Sequence, residues 1–367
     1  MEYINIIIIS LLIILFILSF PIQKKIDKNY KSKKINYNNL DILRYICAVL
    51  IIILHLRPFK PYSSEANFVF NNTVRFSVPL FFLIGGFFVG KKDNIKDYLK
   101  QLIKLYLVWS AIYIPVLILE LVNNSPEITK YISGLNIELT LPLIIILIPI
   151  GILIALLYTG VYYHLWYFPA VIISLFIIDK WKKKFNIKYL LIISFILLLI
   201  GSTETYWGII PSNIQDILYY YYKYFVTTRN FLFFGLFYVT LGYYLGSKKE
   251  VYTKYSLIKL TLSIVLLILE VSFIHGIDRL NSNILLSNIP VVYYLFVSSI
   301  YLDSIIKNAK ILRDYSKYYY LVHPVFILLF SLLNIKFDNP YISILIVLIL
   351  THLLSEIIIR IKKRTKN

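Results

Sequence analysis

Apolar runs of about 20 residues recur along the chain, and short segments rich in lysine and arginine separate them. A helix of about 20 apolar residues spans the ~30 Å hydrocarbon core of a bilayer. The pattern therefore predicts an all-α polytopic membrane protein rather than soluble domains. Eleven crossings are predicted, at 1–21, 39–59, 74–90, 105–122, 163–178, 188–201, 230–246, 257–274, 288–306, 319–335 and 341–359.

The basic residues are distributed unevenly between the two sides of this predicted topology. Thirty of the 38 lysines and arginines lie in predicted inner segments or at an inner helix end, and the other eight lie in outer segments. Basic residues collect on the cytoplasmic side of membrane proteins. The bias therefore predicts an N-terminus outside the cell and a C-terminus in the cytoplasm.

One apolar segment is not counted as a crossing. Leu141–Leu157 is long enough, but a crossing there would move the lysines at 180–184 to the outer side, against the charge bias. The segment also contains Pro142, Pro149 and Gly151, which suit backbone that is buried in protein or lines a cavity. A re-entrant or interfacial helix is therefore predicted there.

The chain is expected to have three parts: an N-terminal transmembrane anchor with a basic cytoplasmic linker at 1–38, a membrane domain at 39–360, and a basic cytoplasmic tail at 361–367. Cys47 is the one cysteine, which excludes disulfides within the chain and cysteine-rich metal sites. Because no Gly-rich phosphate loop or zinc-ligand spacing occurs, neither a bound metal nor a bound cofactor is expected. The inner basic clusters are ordinary topology signals that face anionic lipid, so the expected partner is the bilayer and no nucleic acid.

Two ionisable side chains stand out within the second predicted crossing. Arg44 and His55 are eleven residues apart, which is three helical turns plus about 20° and a rise of about 16 Å, so they share one helix face. An ionisable group inside a membrane is costly and usually marks a site or a pathway. The pair is therefore the leading functional hypothesis, although Arg44 alone also fits a side chain that extends to the inner surface.

Further polar candidates lie near the predicted membrane boundaries. A histidine at such a boundary is more often a hydrogen-bonded interfacial residue than a catalyst, and an arginine there can extend to solvent. Several such residues at the same depth in the membrane favour a functional site instead. The candidates at the outer ends, besides His55, are Arg75, Glu120, His164, Trp166 and Arg229, whereas Arg44 and His323 lie towards the inner ends.

Four sequence blocks carry a family resemblance. LDILRYICAVLIIILH at Leu40–His55, with an arginine, ten residues and a histidine, resembles the first-helix signature of the acyltransferase-3 family of integral membrane acyltransferases. SVPLFFLIGGFF at Ser77–Phe88 resembles that family's next helix, and HLWYFPA at His164–Ala170 and YYLVHPVF at Tyr319–Phe326 resemble two further blocks. The blocks occur in the family's order. They indicate an acyltransferase-3-like bundle that follows an extra N-terminal helix.

The resemblance implies transfer of an acyl group, commonly acetyl, from cytoplasmic acyl-CoA to a hydroxyl of an envelope glycan or lipid-linked sugar at a bacterial plasma membrane. It makes acyl-CoA a co-substrate and implies essential roles for Arg44 and His55. The remaining candidates would bind the donor or the acceptor. In one departure from the family pattern, Gly85 stands where members often carry a hydroxyl residue, so a side-chain hydrogen bond is lost there.

The chemistry of the pair suits such a transfer. An alcohol needs a base to take its proton, and His55 is expected to be that base because a neutral imidazole accepts protons near neutral pH. Arg44 is expected to meet a donor phosphate or the thioester carbonyl. The alternative is a transporter of a small polar solute such as serine, because HLWYFPA and the block Arg229–Tyr244 also resemble the membrane half of membrane-bound serine racemases. A helical scaffold, as a third class, would not require the aligned charges.

Overall fold

Every regular element in the described part of the chain is a helix. The computed structural model describes residues 2–123, 149–225, 227–335 and 337–364. In chain order the helices are α1 (Glu2–Lys31), α2 (Asn38–Leu56), α3 (Ser64–Thr73), α4 (Ser77–Lys92), α5 (Ile95–Asn123), α6 (Pro149–Thr159), α7 (Tyr167–Trp181), α8 (Ile187–Ser202), α9 (Ser212–Phe225), α10 (Leu236–Gly246), α11 (Ser256–His275), α12 (Asn288–Ser299), α13 (Lys310–Leu332) and α14 (Pro340–Arg364).

Five of the described helical stretches are long and apolar enough to cross a membrane. They are Asn38–Leu56, Ser64–Lys92, Ile95–Ile118, Ser256–His275 and Pro340–Arg364. The chain is therefore an all-helical multi-pass membrane protein in its described part, as the apolar pattern predicts. The count of eleven crossings and the orientation of the termini remain predictions. Most of the predicted re-entrant segment, up to residue 148, lies outside the described residues.

Several predicted crossings have different ends in the structure, and two of these differences affect the candidate site. Helix α2 ends at Leu56 rather than at 59, because Arg57 adopts a left-handed backbone conformation with φ of 48° and Pro58 follows it. Helix α13 begins at Lys310 rather than at 319 and continues through Pro324. The earlier start puts His323 well inside the helix rather than near its inner end.

Two helices lie in segments between the predicted crossings. Helix α3 begins after Ser63, whose side chain caps it by accepting a hydrogen bond from the backbone N–H of Ala66 at 3.1 Å. Helix α9 lies between α8 and α10 and contains four consecutive tyrosines. Both are too short to span a bilayer, so a search for long apolar runs does not find them.

Helices α4 and α10 touch each other through their backbones. A Cβ atom added at Gly86 would lie 2.3 Å from the carbonyl oxygen of Val239, and one added at Gly242 would lie 2.1 Å from that of Leu83. Gly90 and Gly246 make equally close approaches one turn further along. Each helix thus contributes two glycines four residues apart, a spacing that lets membrane helices approach closely. The pair forms the centre of the bundle.

Helix α2 lies against α13 and α14. The hydroxyls of Tyr45 and Tyr319 are 3.3 Å apart, and the Tyr319 hydroxyl is 2.9 Å from Nδ1 of His352. Ala48 and Ile52 are fully buried in the same contact. This packing turns one face of α2 towards α13 along most of its length, which places His55 beside the middle of α13.

Loops that connect several helices meet at one end of the bundle. Lys182 forms an ion pair with Asp93, and this contact lowers the pKa of the Asp93 carboxyl. The hydroxyl of Tyr243 also donates to Asp93 at 3.0 Å. The segments after α4 and α7 therefore lie beside the last turn of α10, at the end where the charge pattern predicts the cytoplasm.

Cysteine labelling tests the predicted orientation. We expect a cysteine at Ser212 to react with a membrane-impermeant maleimide added to intact cells, and a cysteine at Lys183 to react only after the membrane is opened. Both side chains are solvent-exposed, and the single native Cys47 is buried and can be replaced by serine in the background protein. Labelling at position 183 from outside would show that Leu141–Leu157 crosses the membrane.

Candidate functional site

Three histidines from separate parts of the chain meet inside the bundle. The ring of His55, near the end of α2, stacks on the ring of His323 in α13, with centroids 5.5 Å apart. His164, three residues before α7, lies with its ring centroid 5.9 Å from that of His323. The imidazoles of His55, His164 and His323 are called the histidine cluster below. The position predicted for His323, towards the inner end, is wrong because α13 begins earlier than expected.

The hydrogen bonds of His323 determine which of its ring nitrogens is available. Nδ1 lies 2.8 Å from the carbonyl oxygen of Tyr319. A carbonyl can only accept, so Nδ1 must carry the hydrogen and donate it. In the neutral ring Nε2 then has a free lone pair, and this buried atom has no partner in the described part of the chain. Pro324, which has no backbone N–H, also leaves the carbonyl of Tyr320 without its usual helical donor.

His164 is buried, and neither of its ring nitrogens has a hydrogen-bond partner among the described residues. Buried polar atoms are nearly always paired, so the unpaired nitrogens of two neighbouring histidines mark this place as a candidate site. Within the described part of the chain, these rings are not arranged to hold a metal ion. The cluster instead offers proton donors and acceptors to a bound molecule.

Tyrosines surround the histidine cluster. Tyr163 contacts His55 with ring centroids 4.8 Å apart, and Tyr113 contacts His164 at 4.9 Å. The hydroxyl of Tyr320 donates to the carbonyl oxygen of His164, which fixes the segment before α7 against α13. The rings therefore hold the three imidazoles in place and exclude most of the surrounding lipid and water.

A cavity of about 540 Å³ opens on one side of the cluster and is called the inner cavity. Arg44 lines it; the guanidinium lies 3.2 Å from the carboxylate of Asp41 and 5.2 Å from the ring centroid of Phe88. Further positive charges and aromatic rings complete the wall. They include Lys92, Arg313, Lys317, Tyr98, Tyr167 and Tyr320. Because Tyr320 also contacts His164 and His323, this side chain separates the inner cavity from the cluster.

A smaller cavity of about 230 Å³ lies on another side and is called the outer cavity. Its wall includes Tyr162, Tyr163, Trp166, Thr227 and Arg229. The guanidinium of Arg229 lies over the indole of Trp166, 5.2 Å from the ring centroid. Tyr163, which contacts His55, separates this cavity from the histidine cluster.

A buried carboxylate stands behind the outer cavity. Glu204 accepts hydrogen bonds from the backbone N–H of Thr228 at 2.7 Å and from the side chain of Asn283 at 2.7 Å. Asn283 in turn accepts a hydrogen bond from Arg75 at 2.9 Å. Sequence reasoning did not identify Glu204 or Asn283. An acidic residue between two apolar helices was the available signal for Glu204.

The structure places most of the residues that the sequence singled out in the histidine cluster, in the two cavities beside it, or in the Glu204 network. His55, His164 and His323 form the cluster, and Arg44 lies in the inner cavity. Trp166 and Arg229 line the outer cavity, and Arg75 joins the Glu204 network behind it. The side chain of Glu120 lies outside the described residues. Gly85 lines the inner cavity, where a Cβ atom would make only ordinary contacts with the hydroxyls of Tyr98 and Tyr167.

The closest functional information comes from comparisons with known proteins. An amino-acid racemase of Enterococcus faecalis is 28% identical over 238 residues, which cover 62% of this chain and 31% of that protein. A serine/alanine racemase of Enterococcus gallinarum is 26% identical over 333 residues, which cover 85% of this chain and 44% of that protein. The chain thus spans less than half the length of these relatives. No solved structure matches it significantly.

A family comparison covers the whole predicted membrane domain. The acyltransferase-3 family model, described as an acyltransferase domain, matches residues 37–360. The matched region contains the histidine cluster and both cavities. It excludes all of α1, the predicted N-terminal anchor. The chain therefore belongs to the acyltransferase-3 family of membrane proteins.

Proposed function

We propose that the protein is a membrane O-acyltransferase that moves an acyl group, commonly acetyl, from cytoplasmic acyl-CoA to a hydroxyl of an envelope glycan or lipid-linked sugar. Family membership supports acyl transfer in general. The observation that carries the proposal is the position of the histidine cluster between a larger cavity lined by basic residues and a smaller aromatic one. Two substrates that approach from different sides would meet at the imidazoles.

The inner cavity suits an acyl-CoA donor. Its basic side chains, Arg44, Lys92, Arg313 and Lys317, would meet the donor's phosphates. Its apolar and aromatic wall would accommodate the uncharged arm that carries the thioester. The helical rise of about 16 Å from Arg44 to His55 gives the arm about half of the hydrocarbon thickness to cross. The thioester would then lie at the cluster.

The transfer step follows from the basic nitrogens of the cluster. His55 takes the proton of the acceptor hydroxyl as its oxygen attacks the thioester carbon. The new C–O bond forms, the C–S bond breaks, and the thiolate of CoA leaves and takes up a proton. His323 packs on His55 and keeps a free Nε2, so it orients the catalytic ring and offers a second proton acceptor.

A thioester assay tests the enzyme proposal. We expect the purified full-length protein to consume acetyl-CoA when an envelope glycan fraction is present, and to form a product from which alkali releases acetate. Protein without the glycan fraction, and the glycan fraction without protein, are the controls. If acetyl-CoA is not consumed above these controls by a protein that still binds it, transfer of this acyl group is excluded.

Transport of a small polar solute is the second candidate. It is favoured by the racemase names of the relatives, since an amino-acid substrate would have to reach such an enzyme. The inner and outer cavities lie on different sides of the histidine cluster. This arrangement would also suit a path along which a solute passes through the protein. Uptake of labelled serine into vesicles that contain the protein, with no consumption of acetyl-CoA, would support transport over acyl transfer.

A further inference from the structure

Positive charge accumulates around the end of α2 that carries His55. Arg57, Arg75 and Arg229 all interact electrostatically with His55. Glu204 is the acidic group that interacts with both Arg75 and Arg229. Among the described residues, the region around His55 therefore carries more positive than negative charge, and an anion placed there would be attracted.

The negative charge of Glu204 is already engaged by other groups. Its oxygens accept hydrogen bonds from Thr228 and Asn283, and Asn283 stands between the carboxylate and Arg75. Among the described residues, the buried Nε atoms of Arg75 and Arg229 have no hydrogen-bond partner. Buried guanidinium N–H groups without acceptors are unusual, because they normally pair with carboxylates or phosphates. Both arginines therefore retain capacity for an anionic ligand.

Arg229 presents this capacity to the outer cavity. Arg229 is one of the residues that line this cavity, and its guanidinium packs against the indole of Trp166. Thr227, also in the wall, accepts a hydrogen bond from Asn283 at 3.2 Å. Asn283 accepts a hydrogen bond from Arg75, so Arg75 lies behind the wall and is connected to it through Asn283. The volume of about 230 Å³ is below that of a typical drug-sized site. A cavity of this volume suits one charged group of a larger molecule rather than the whole molecule.

We infer that Arg229, supported by Arg75, binds a carboxylate or phosphate group of the molecule whose hydroxyl is acylated; the identity of that molecule as acceptor rests on the proposed function. A guanidinium binds either group through two parallel N–H bonds. The anion would fix the acceptor in the outer cavity, and a neighbouring hydroxyl would reach past Tyr163 to the histidine cluster. Neutral acceptors of the same shape would bind more weakly.

Binding of matched sugars tests the inference without any acyl transfer. The full-length protein in phosphatidylcholine nanodiscs would be titrated calorimetrically with glucuronate, its uncharged methyl ester, glucose 1-phosphate and glucose. We expect glucuronate, glucose 1-phosphate or both to bind roughly 10–100-fold more tightly than their neutral counterparts, the range expected for charge-assisted hydrogen bonds. Which of the two anions is preferred identifies the group.

Variants assign the preference to the two arginines. Arg229→Gln should make charged and neutral sugars bind equally, Arg229→Lys should retain part of the preference, and Arg75→Gln should reduce it less. Lys60→Gln removes an exposed charge from the loop after α2 and is the matched control, for which the preference should stay unchanged. Unchanged acetyl-CoA binding in each variant would show that the fold is intact.

The results separate this inference from the proposed function. If neither anion binds, or if neutral sugars bind as tightly as charged ones, the anion site is wrong even where acetyl transfer occurs. If Arg229→Gln keeps the full preference, the site lies elsewhere and the inference is also wrong. If charged sugars bind selectively through Arg229 but no acyl acceptor is found, the anion site stands and the transferase proposal fails.

Discussion

His55→Ala should lower acyl transfer by about 10²–10⁴-fold, the contribution that general-base catalysis typically makes. The substitution removes the imidazole that stacks on His323 and contacts Tyr163. The inner cavity is lined by other residues, so acetyl-CoA should bind with nearly unchanged affinity. The loss should therefore appear in turnover rather than in the KM for acetyl-CoA, and steady-state rates at varied donor concentration measure it.

A second histidine provides the control. His275, at the end of α11, contacts Phe68 and lies outside the cluster, so His275→Ala should leave turnover unchanged. His323→Ala distinguishes two assignments of the base. If turnover survives in His55→Ala but is lost in His323→Ala, then the free Nε2 of His323 takes the proton and the role assigned to His55 is wrong.

Arg44→Gln should raise the KM for acetyl-CoA by roughly 10–100-fold, which corresponds to the loss of hydrogen bonds to a charged group. The Arg44 side chain is 14% exposed, and Asp41 and Phe88 hold it in the inner cavity. Arg44→Lys keeps the charge but loses the planar fork, so it should give an intermediate KM. Turnover at saturating donor should change less than KM, in contrast to His55→Ala.

An exposed lysine near the same end of the bundle is the control for Arg44. Lys96 lies in the first turn of α5 and does not line the inner cavity, so Lys96→Gln should leave the KM unchanged. Direct titration with acetyl-CoA separates affinity from later steps. If Arg44→Lys and Arg44→Gln both bind the donor as the parent does, Arg44 has no part in donor recognition.

Local regularities made part of the fold and site predictable from the sequence. The apolar runs find the crossing helices because length and hydrophobicity determine whether a helix suits a bilayer. The spacing of Arg44 and His55 predicts a shared face because helix geometry is nearly constant. Neither regularity specifies where a helix begins. The helix that contains His323 was predicted to begin at 319 but begins at Lys310, so the prediction placed His323 too close to the inner end of the helix.

Contacts between distant segments were not predictable in the same way. Glu204 and Asn283 are 79 residues apart and meet only through the packing of the bundle. The glycine pairs Gly86 with Gly90 and Gly242 with Gly246 were readable as close-packing signals, but which two helices they join depends on the tertiary fold.

The glycine contact between α4 and α10 limits how the protein can move. Alternating access, which a carrier needs, requires two bodies that rock against each other across the bound solute. Because carbonyl oxygens of each helix lie against glycines of the other, at distances that leave no room for a Cβ atom, no layer of side chains separates α4 from α10 at these glycines. A sliding motion would therefore find no side chains there that could rearrange. The two helices must therefore move together as one rigid body. Any hinge would have to lie in the helices around it, and a cross-link between α4 and α10 would not stop the motion.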